Sequence, residues 1–212
     1  AAMKQLATEK NVALIDLNAS SIAFYNGIGV AATTDVFMWL GAGQYPAFPN
    51  GVSDITHFQE YGAGQLARLV GQGIEENRLG LRAWLGTLVY PAEAGVLSGA
   101  GTVRERSYGG WQGRGYVRFP PSGGAMTLTK VIGKNGGAHI LRIRYANGAA
   151  TARGGQLVVN GVATSIRFAP TGAWSTWLSK DVTVILNGGT ANTVILKSTG
   201  AGLANIDGIT VF

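Results

Sequence analysis

The sequence contains no cysteine, only two histidines, and few charged residues, which make up 13% of its 212 positions. Without cysteine there is no disulfide framework and no thiolate metal site, so cysteine usage does not reveal the compartment. His139 has no second histidine nearby in the sequence, which argues against a zinc centre. No apolar stretch approaches the roughly 20 residues of a membrane-spanning helix, and the first residues lack the pattern of a signal peptide.

The composition otherwise favours a folded, turn-rich β protein. Apolar residues reach 46% and glycine 33 positions, whereas disordered chains combine low hydrophobicity with high charge. The length allows one or two domains, and two short ones fit better. The formal net charge of +6 attracts anionic partners, but the basic residues form no dense run. On charge alone, an acidic polysaccharide fits as well as a nucleic acid.

The first part of the chain, residues 1–86, has the pattern of an α/β domain. Residues 12–17 form a nearly continuous apolar run, which is typical of a buried parallel strand. Residues 20–25 favour a helix, and residues 56–74 predict a second, amphipathic helix with Leu66, Leu69 and Val70 on its apolar side. A strand, a helix, a loop and another helix in this order suit the closing part of a doubly wound fold.

Residues 87–212 have a different texture, with short β-rich runs separated by turn signals. Alternation is clearest in residues 139–145, where every second side chain is apolar or aromatic from Leu141 onward. The runs predicted as strands are 115–119, 125–132, 139–145, 156–159, 181–186 and 193–197, and the turn signals are Asn-Gly pairs at 135–136, 147–148, 160–161 and 187–188. Regularly spaced strands without intervening helices predict an all-β sandwich or jelly roll.

One pair of residues in the first part has catalytic spacing. Asp54 lies three residues before His57, and a carboxylate at this spacing can hold an imidazole in the tautomer that a general base needs. A structural alternative exists, because Thr56 and Gln59 have the spacing of a helix capping box. Both interpretations can hold at once.

Residues 4–80 resemble the C-terminal third of SGNH-type (GDSL-like) esterases, in particular the rhamnogalacturonan acetylesterase family. The segments that carry the resemblance are 12–18, 45–52 and 54–63. The resemblance implies that Asp54 and His57 are two members of a Ser-His-Asp triad. The family's nucleophilic serine comes from earlier blocks that this sequence does not contain, and Ser20, Ser21 and Ser53 lie in the wrong context to replace it. Since a base without a nucleophile cannot transfer an acyl group, we expect these residues to be an inactive remnant.

Residues 90–212 resemble family 35 carbohydrate-binding modules, with family 6 as a near relative. The carriers are the segments 90–93, 115–117, 144–148, 159–161, 168–177 and 204–209. The resemblance implies a β-sandwich that binds sugars without catalysis. It covers essentially the whole second part of the chain.

The sugar-binding candidates are aromatic and polar residues near glycines or turns. A sugar ring presents an apolar face to an aromatic side chain, while amides and guanidinium groups bond its hydroxyls. Trp177, which precedes a strand, is predicted as a core residue, and Arg153 lies in a loop that approaches the same site. The resemblance implies that Asn147 and Asn205 are sugar-contacting amides. The structural alternatives are a plain turn at residues 147–148 and an ordinary strand-end residue at 205. The predicted carbohydrate-binding residues are Trp111, Arg114, Tyr116, Asn147, Trp174 and Asn205.

The family resemblance also implies calcium. Members with acidic specificity use a calcium ion near the sugar, and Asn147 matches the asparagine that contributes there. The family also has a structural calcium site at the sheet edge, and Glu93 and Asp207 match its acidic ligands. Oxygen ligands of this kind suit Ca²⁺. Pro91 stands where the family has a first acidic ligand, which removes one charge from the structural site. Ordinary surface charge is the alternative for both acids.

These features together predict a calcium-dependent, noncatalytic module for terminal uronic acids of plant cell-wall polysaccharides, either glucuronic acid or unsaturated galacturonic acid. The module would tether a pectin acetylesterase, and the protein would be secreted and monomeric, without nucleic-acid or membrane partners. Two alternatives remain: binding of neutral sugars such as galactan or mannan, and acetylesterase activity of the parent enzyme.

Overall fold

The computed structural model describes residues 2–200 and 202–212, and the chain divides into two compact units. The first unit ends at Gly86 and the second runs from Thr87 to Phe212. Within the described residues, no helix has the length and apolar character to cross a membrane.

The first unit is mainly helical. Its helices are α1 (Ala2–Glu9), α2 (Leu17–Ile28), α3 (Val30–Thr33) and α4 (Glu60–Glu76), followed by a 3₁₀ turn at Gly80–Trp84. Strands β1 (Phe37–Leu40) and β2 (Val52–Phe58) form a two-stranded antiparallel sheet between α3 and α4. The rings of Phe37 and Phe58 meet across this pair, with centroids 5.3 Å apart.

The predicted parallel strand at residues 12–17 is wrong. Residues 12–16 belong to neither a helix nor a strand, and Leu17 begins helix α2. Asp16 caps that helix by accepting a hydrogen bond from the backbone N–H of Ala19 at 3.1 Å, which stabilises the helix start. A strand is defined by a paired neighbour, and within the described part of this unit β1 and β2 pair only with each other.

The predicted helix over residues 56–74 begins later than its sequence pattern indicates. Helix α4 begins at Glu60, and Thr56 lies in β2, so the capping-box interpretation is wrong. Gln59 instead ties the helix start to β1, since its Nε2 donates to the Phe37 carbonyl at 2.6 Å. The predicted apolar side is retained, because Leu69 is buried and Leu66 and Val70 are partly buried.

The second unit is the predicted β-sandwich. One sheet has the strand order β10-β9-β12-β7-β4, and the other has the order β11-β8-β13-β6-β5 with β3 also paired to β13. Every pairing is antiparallel. The strands are β3 (Val89–Pro91), β4 (Val96–Ser98), β5 (Val103–Glu105), β6 (Tyr116–Arg118), β7 (Ala125–Val131), β8 (Gly137–Ala146), β9 (Arg153–Val159), β10 (Val162–Phe168), β11 (Leu178–Leu186), β12 (Asn192–Ser198) and β13 (Asn205–Val211).

Local sequence accounts for much of this sandwich. In β8, Leu141 and Ile143 are fully buried while Ile140 and Arg142 are exposed, as the alternation predicts. Asn160 and Gly161 join β9 to β10 with φ angles of 50° and 87°. Positive φ at both central residues is the signature of a type I′ hairpin. The large side chains of the core include Tyr90, Phe168, Met126 and Leu141, all essentially inaccessible to solvent.

Candidate functional site

Three loops meet at one end of the sandwich and form the candidate sugar site. They are residues 106–115 between β5 and β6, residues 147–152 between β8 and β9, and residues 169–177 between β10 and β11. The backbone of Thr171 donates to the Asn147 carbonyl at 2.8 Å, and Asn147 N–H donates to the Thr171 hydroxyl at 3.0 Å. Trp177 Nε1 donates to the Gly109 carbonyl at 2.8 Å. These bonds hold the three loops against one another.

A row of aromatic rings runs through these loops. Tyr108 stacks on Trp174 with ring centroids 6.2 Å apart and on Tyr116 at 6.3 Å, and Tyr116 meets Trp177 at 5.4 Å. Tyr108 is exposed, Trp174 and Trp177 are half-buried, and Tyr116 is fully buried. The row therefore has an accessible end at Tyr108 and Trp174 and a buried member at Tyr116.

The burial of Tyr116 contradicts its predicted place on a sugar-stacking surface. Its ring is covered by protein, and its hydroxyl donates to Glu105 Oε2 at 3.2 Å. Burial also raises the pKa of the Tyr116 phenol. The side chain supports the row from beneath, because its stacking faces are occupied by Tyr108 and Trp177. Trp177 is half-buried and not the core residue that its position before a strand predicts.

Trp174 has the environment of a binding surface. The guanidinium carbon of Arg153 lies 5.3 Å from its ring centre, within the range of a cation–π contact. Gly148 allows the ring to approach the neighbouring loop, since a Cβ there would lie 2.5 Å from Trp174 Cδ1. Burial lowers the pKa of Arg153 below its ordinary value, and the side chain keeps its charge near neutral pH. An aromatic face and a cation thus lie side by side.

Asn147 serves the protein's own loop. It is fully buried, its Nδ2 donates to the carbonyls of Thr151 and Phe168 at 3.0 Å each, and its Oδ1 accepts from Ala149 N–H at 3.1 Å. Both donors and one acceptor position of the amide are therefore engaged. The predicted sugar and calcium contacts of Asn147 would therefore have to use the remaining acceptor position of Oδ1. The alternative of a plain turn at residues 147–148, which would be a type I′ hairpin turn, is wrong because β8 and β9 are separated by six loop residues, 147–152.

Three predicted site residues carry buried polar atoms that lack a hydrogen-bond partner among the described residues. These atoms are Glu93 Oε2, Trp111 Nε1 and Asn205 Nδ2. Glu93 and Asn205 are almost completely buried, with exposed fractions of 4% and 2%. An unsatisfied buried polar group costs free energy and is rare in folded proteins. Such atoms therefore mark positions where another molecule or ion would be stabilising.

Glu93 and Asp207 form a buried acidic pair next to the 106–115 loop. Glu93 Oε1 accepts from the backbone N–H of Arg114 at 2.9 Å, and Asp207 accepts from that of Gln112 at 3.0 Å. Burial raises the pKa of Glu93 to about 8, with the Asp207 charge acting in the same direction. Burial also raises the pKa of Asp207, although the guanidinium of Arg144 pairs with it and opposes the shift.

The acidic pair fits part of a calcium site. Glu93 has an unmatched buried oxygen, and two adjacent carboxylates are the ligand type that Ca²⁺ prefers. The described residues contain no group of three or more acidic or histidine side chains placed to hold a metal. Any further ligands would therefore be carbonyl groups or water. Asn147 Oδ1 already accepts one hydrogen bond from Ala149 N–H, which leaves one acceptor position for the predicted calcium contact.

The predicted residues divide by location. Arg114 and Trp111 lie in the 106–115 loop beside the acidic pair, and Asn205 pairs with Ala146, immediately before Asn147. Sequence reasoning missed Tyr108, although it stands before two glycines just as Trp111 follows them. It also left Arg153 uncommitted, because only the folded structure shows the guanidinium over Trp174.

The predicted Asp54–His57 pair forms in the first unit. His57 Nδ1 lies 2.6 Å from Asp54 Oδ2, and the backbone N–H groups of Thr56 and His57 donate to Asp54 Oδ1. The backbone bond from His57, its ring and the Thr56 N–H together lower the pKa of Asp54 to about 2. The imidazole side chain is 72% exposed. The carboxylate therefore orients the ring at the surface of the unit.

Comparisons with known proteins agree with the β-sandwich as a carbohydrate-binding unit. A family model described as CBM13-like, the CBM13 domain of an alpha-galactosidase, matches residues 125–211. A family 35 carbohydrate-binding module from Clostridium thermocellum is 30% identical with a TM-score of 0.56, and the match covers 60% of this chain and 98% of that module. A second solved module, Xyl-CBM35 in complex with a glucuronic acid-containing disaccharide, is 30% identical with a TM-score of 0.52, covering 58% of this chain and 91% of that one.

A further relative is an esterase. The rhamnogalacturonan acetylesterase RhgT of Bacillus subtilis is 42% identical over 81 residues, which are 38% of this chain and 35% of that enzyme. The chain therefore spans about a third of the length of this relative.

Proposed function

Because the chain belongs to the family 35 carbohydrate-binding modules through its β-sandwich unit, we propose that this unit binds terminal uronic acids of plant cell-wall polysaccharides. The family follows from solved modules that the chain covers almost completely, at 98% and 91% of their length. The CBM13-like model matches only residues 125–211. The ligands would be glucuronic acid or unsaturated galacturonic acid, bound without catalysis by a secreted, monomeric protein.

The observation that carries this proposal is the set of unmatched buried atoms on Glu93, Trp111 and Asn205. All three residues belong to the predicted site. Trp111 Nε1 and Asn205 Nδ2 are donors, and sugar hydroxyls and a carboxylate are acceptors. A bound sugar would remove the cost of leaving these donors unpaired.

The aromatic and cationic groups give the proposal its specificity for an acid. Tyr108 and Trp174 offer ring surface for the apolar face of a sugar. Arg153, next to Trp174, presents a guanidinium whose fork of donors matches a carboxylate. We assign the recognition of the uronate carboxylate to Arg153, in place of the calcium contact through Asn147.

We place calcium dependence at Glu93 and Asp207. A bound Ca²⁺ would supply positive charge to two buried carboxylates, one of which has an unmatched oxygen. Glu93 also accepts from the N–H of Arg114, and Asp207 from that of Gln112. The pair is therefore connected to the loop that carries Trp111, and charge neutralisation there would hold this loop in place for the sugar.

Calorimetric titration of the whole chain with glucuronic acid and with unsaturated digalacturonate, in calcium and in EDTA, tests the proposal. We expect weak binding of both ligands in calcium, with affinities roughly micromolar to millimolar because few atoms are buried, and weaker binding in EDTA. If neither ligand produces heat in calcium, the proposal fails.

Two arginine variants test the carboxylate contact. Arg153→Met should weaken glucuronic acid binding by about tenfold or more, as expected for loss of a charge-assisted hydrogen bond. Arg167→Met is the matched control, since Arg167 is exposed on β10, where it pairs with Gly154, and therefore lies on the opposite face of this strand pair from Arg153. Equal affinity for glucose and glucuronic acid in the unmodified chain would instead favour the neutral-sugar alternative.

The first unit supports a second proposal, that the module tethers an acetylesterase acting on rhamnogalacturonan. The Asp54–His57 bond at 2.6 Å supports it, as does the identity to RhgT. We propose that this chain itself does not cleave esters. Ser53 lies four residues before His57 in β2, about 13 Å away in an extended strand, which is too far for a nucleophile–base bond. Acetyl release from p-nitrophenyl acetate that His57→Ala abolishes would overturn this part.

A further inference from the structure

The outer face of the six-stranded sheet carries a groove of about 290 Å³, whose floor is formed by strands and whose border is formed by part of the 106–115 loop. Strand register explains its floor. Ser179, Arg144 and Gly208 are aligned across β11, β8 and β13, with Pro91 of β3 next in line. Arg142 and Thr210 lie in the adjacent row, with Val89 beside them. Both rows line the groove, and Gln112 and Gly113 lie at its border.

The chemistry of this groove is polar but balanced in charge. Arg142 pairs with Asp181 through two bonds of 2.8 Å, and Arg144 pairs with Asp207. Each guanidinium thus has a carboxylate partner, so the groove presents donors and acceptors side by side with little net charge. Alternating donors and acceptors suit vicinal hydroxyl groups, whereas a bound anion would compete with Asp181 and Asp207 for the same arginines.

Apolar surface lies next to these polar groups. Pro91 and Val89 line the groove, and Gly208 contributes no side chain at the centre of its floor. The Trp177 ring lies 5.3 Å from the Arg144 guanidinium carbon, and the Phe212 ring lies 4.8 Å from that of Arg142. The rows cross four strands, a span of about 14 Å at the usual strand spacing. This length suits several linked sugars better than one terminal residue.

We propose that this groove is a second carbohydrate site, which takes a short stretch of a neutral polysaccharide chain. The inference rests on the proposed function, because it assumes that the unit binds sugars. It differs from the loop site in ligand class. In the groove, Arg142 and Arg144 are paired with Asp181 and Asp207, whereas the loop site presents the Arg153 guanidinium beside the Trp174 ring.

The test uses the whole chain, labelled with ¹⁵N, and two neutral probes, galactotriose and mannotriose. At least one probe should shift the amide signals of Ser179, Gly208 and Thr210. A Ser179→Trp variant fills the groove from an exposed strand position and should weaken this binding by about tenfold or more. Thr183→Trp is the matched control, because Thr183 is exposed on the same strand and face but does not line the groove.

A Trp174→Ala variant separates the two sites. It should lose glucuronic acid binding at the loops and keep the groove shifts with the neutral probe. The inference is overturned if neither trisaccharide shifts the groove signals, if Ser179→Trp and Thr183→Trp bind equally, or if unsaturated digalacturonate displaces the neutral probe from the groove. Failure of glucuronic acid binding with intact groove shifts would refute the loop site alone.

Discussion

The two units bury different kinds of side chain. The sandwich encloses large apolar residues such as Tyr90, Leu141 and Phe168, each at most 1% exposed. Helix α4 of the first unit buries Gln65 and Gln72, at 4% and 2% exposure. The sandwich core therefore gains stability from apolar burial, while the helix depends on polar contacts that must each be satisfied.

Packing in the first unit also relies on close backbone approach. A Cβ at Gly62 would lie 2.0 Å from the Val36 carbonyl oxygen, and one at Gly73 would lie 2.4 Å from Ile15. Large apolar side chains remain outside, with Ile55 70% and Val30 89% exposed. The sandwich therefore contains an apolar core of its own, whereas the first unit leaves much of its apolar surface in water.

The largest expected effect tests the sandwich core. Leu141→Ala removes a fully buried side chain and should lower the free energy of unfolding of the second unit by about 3–5 kcal/mol. Ile140→Ala on the same strand is the matched control, since Ile140 is 40% exposed and its loss should be much smaller. Urea denaturation followed by tryptophan fluorescence measures both. Equal losses would show that β8 has no inner and outer face.

A smaller effect should come from the buried Glu93. Its pKa of about 8 in the folded protein exceeds the ordinary value of 4.5. Between pH 4.5 and 8, the folded state therefore keeps a proton that the unfolded state has lost. The contribution of Glu93 to the free energy of unfolding should therefore be largest below pH 4.5. It should fall by about 2–4 kcal/mol as the pH rises toward 8. Thermal melting between pH 5 and 8, in EDTA, measures the fall.

Glu93→Gln provides the control for this pH dependence, because an amide mimics the neutral acid at every pH. The variant should melt at nearly constant temperature across the window. Added calcium should restore the melting temperature of the unmodified chain at pH 8 and leave the variant unchanged. A pH-dependent fall of the same size in Glu93→Gln would assign the effect to another group.

Asn147 provides an intermediate effect that separates a loop role from a ligand role. Asn147→Ala leaves the carbonyls of Thr151 and Phe168 without their donors and should cost about 1–3 kcal/mol. We expect this loss to be the same in calcium and in EDTA, as measured by urea denaturation. A loss that appears only in calcium would restore Asn147 as a metal ligand.

Local patterns predicted the sandwich well because its strands are specified by short-range signals. The alternation around Leu141 and the Asn160-Gly161 turn each determine a face or a register without distant information. The pattern failed at residues 12–17, because an apolar run becomes a strand only where a neighbour pairs with it. It failed at Thr56 because pairing of β2 with β1 takes precedence over a helix cap.

The candidate site was less predictable than the fold. Sequence patterns place an aromatic residue near a glycine but do not give its exposure. Tyr116, predicted to contact the sugar, is buried, whereas the exposed Tyr108 was missed. The engagement of Asn147 depends on carbonyls of Thr151 and Phe168, the latter on another strand. The Asp54–His57 bond was predictable because three residues of sequence separate its partners.

The smallest expected effect concerns that bond and is confined to the first unit. His57→Ala removes the ring but keeps the backbone N–H groups of residues 56 and 57. Both of these groups donate to Asp54 Oδ1. The pKa of Asp54 should therefore rise above about 2 and stay below its ordinary value of 3.8. A ¹³C NMR titration of the Asp54 carboxyl measures this. A pKa at the ordinary value would mean that the backbone bonds require the ring, whereas an unchanged pKa would mean that the ring does not bond the carboxylate.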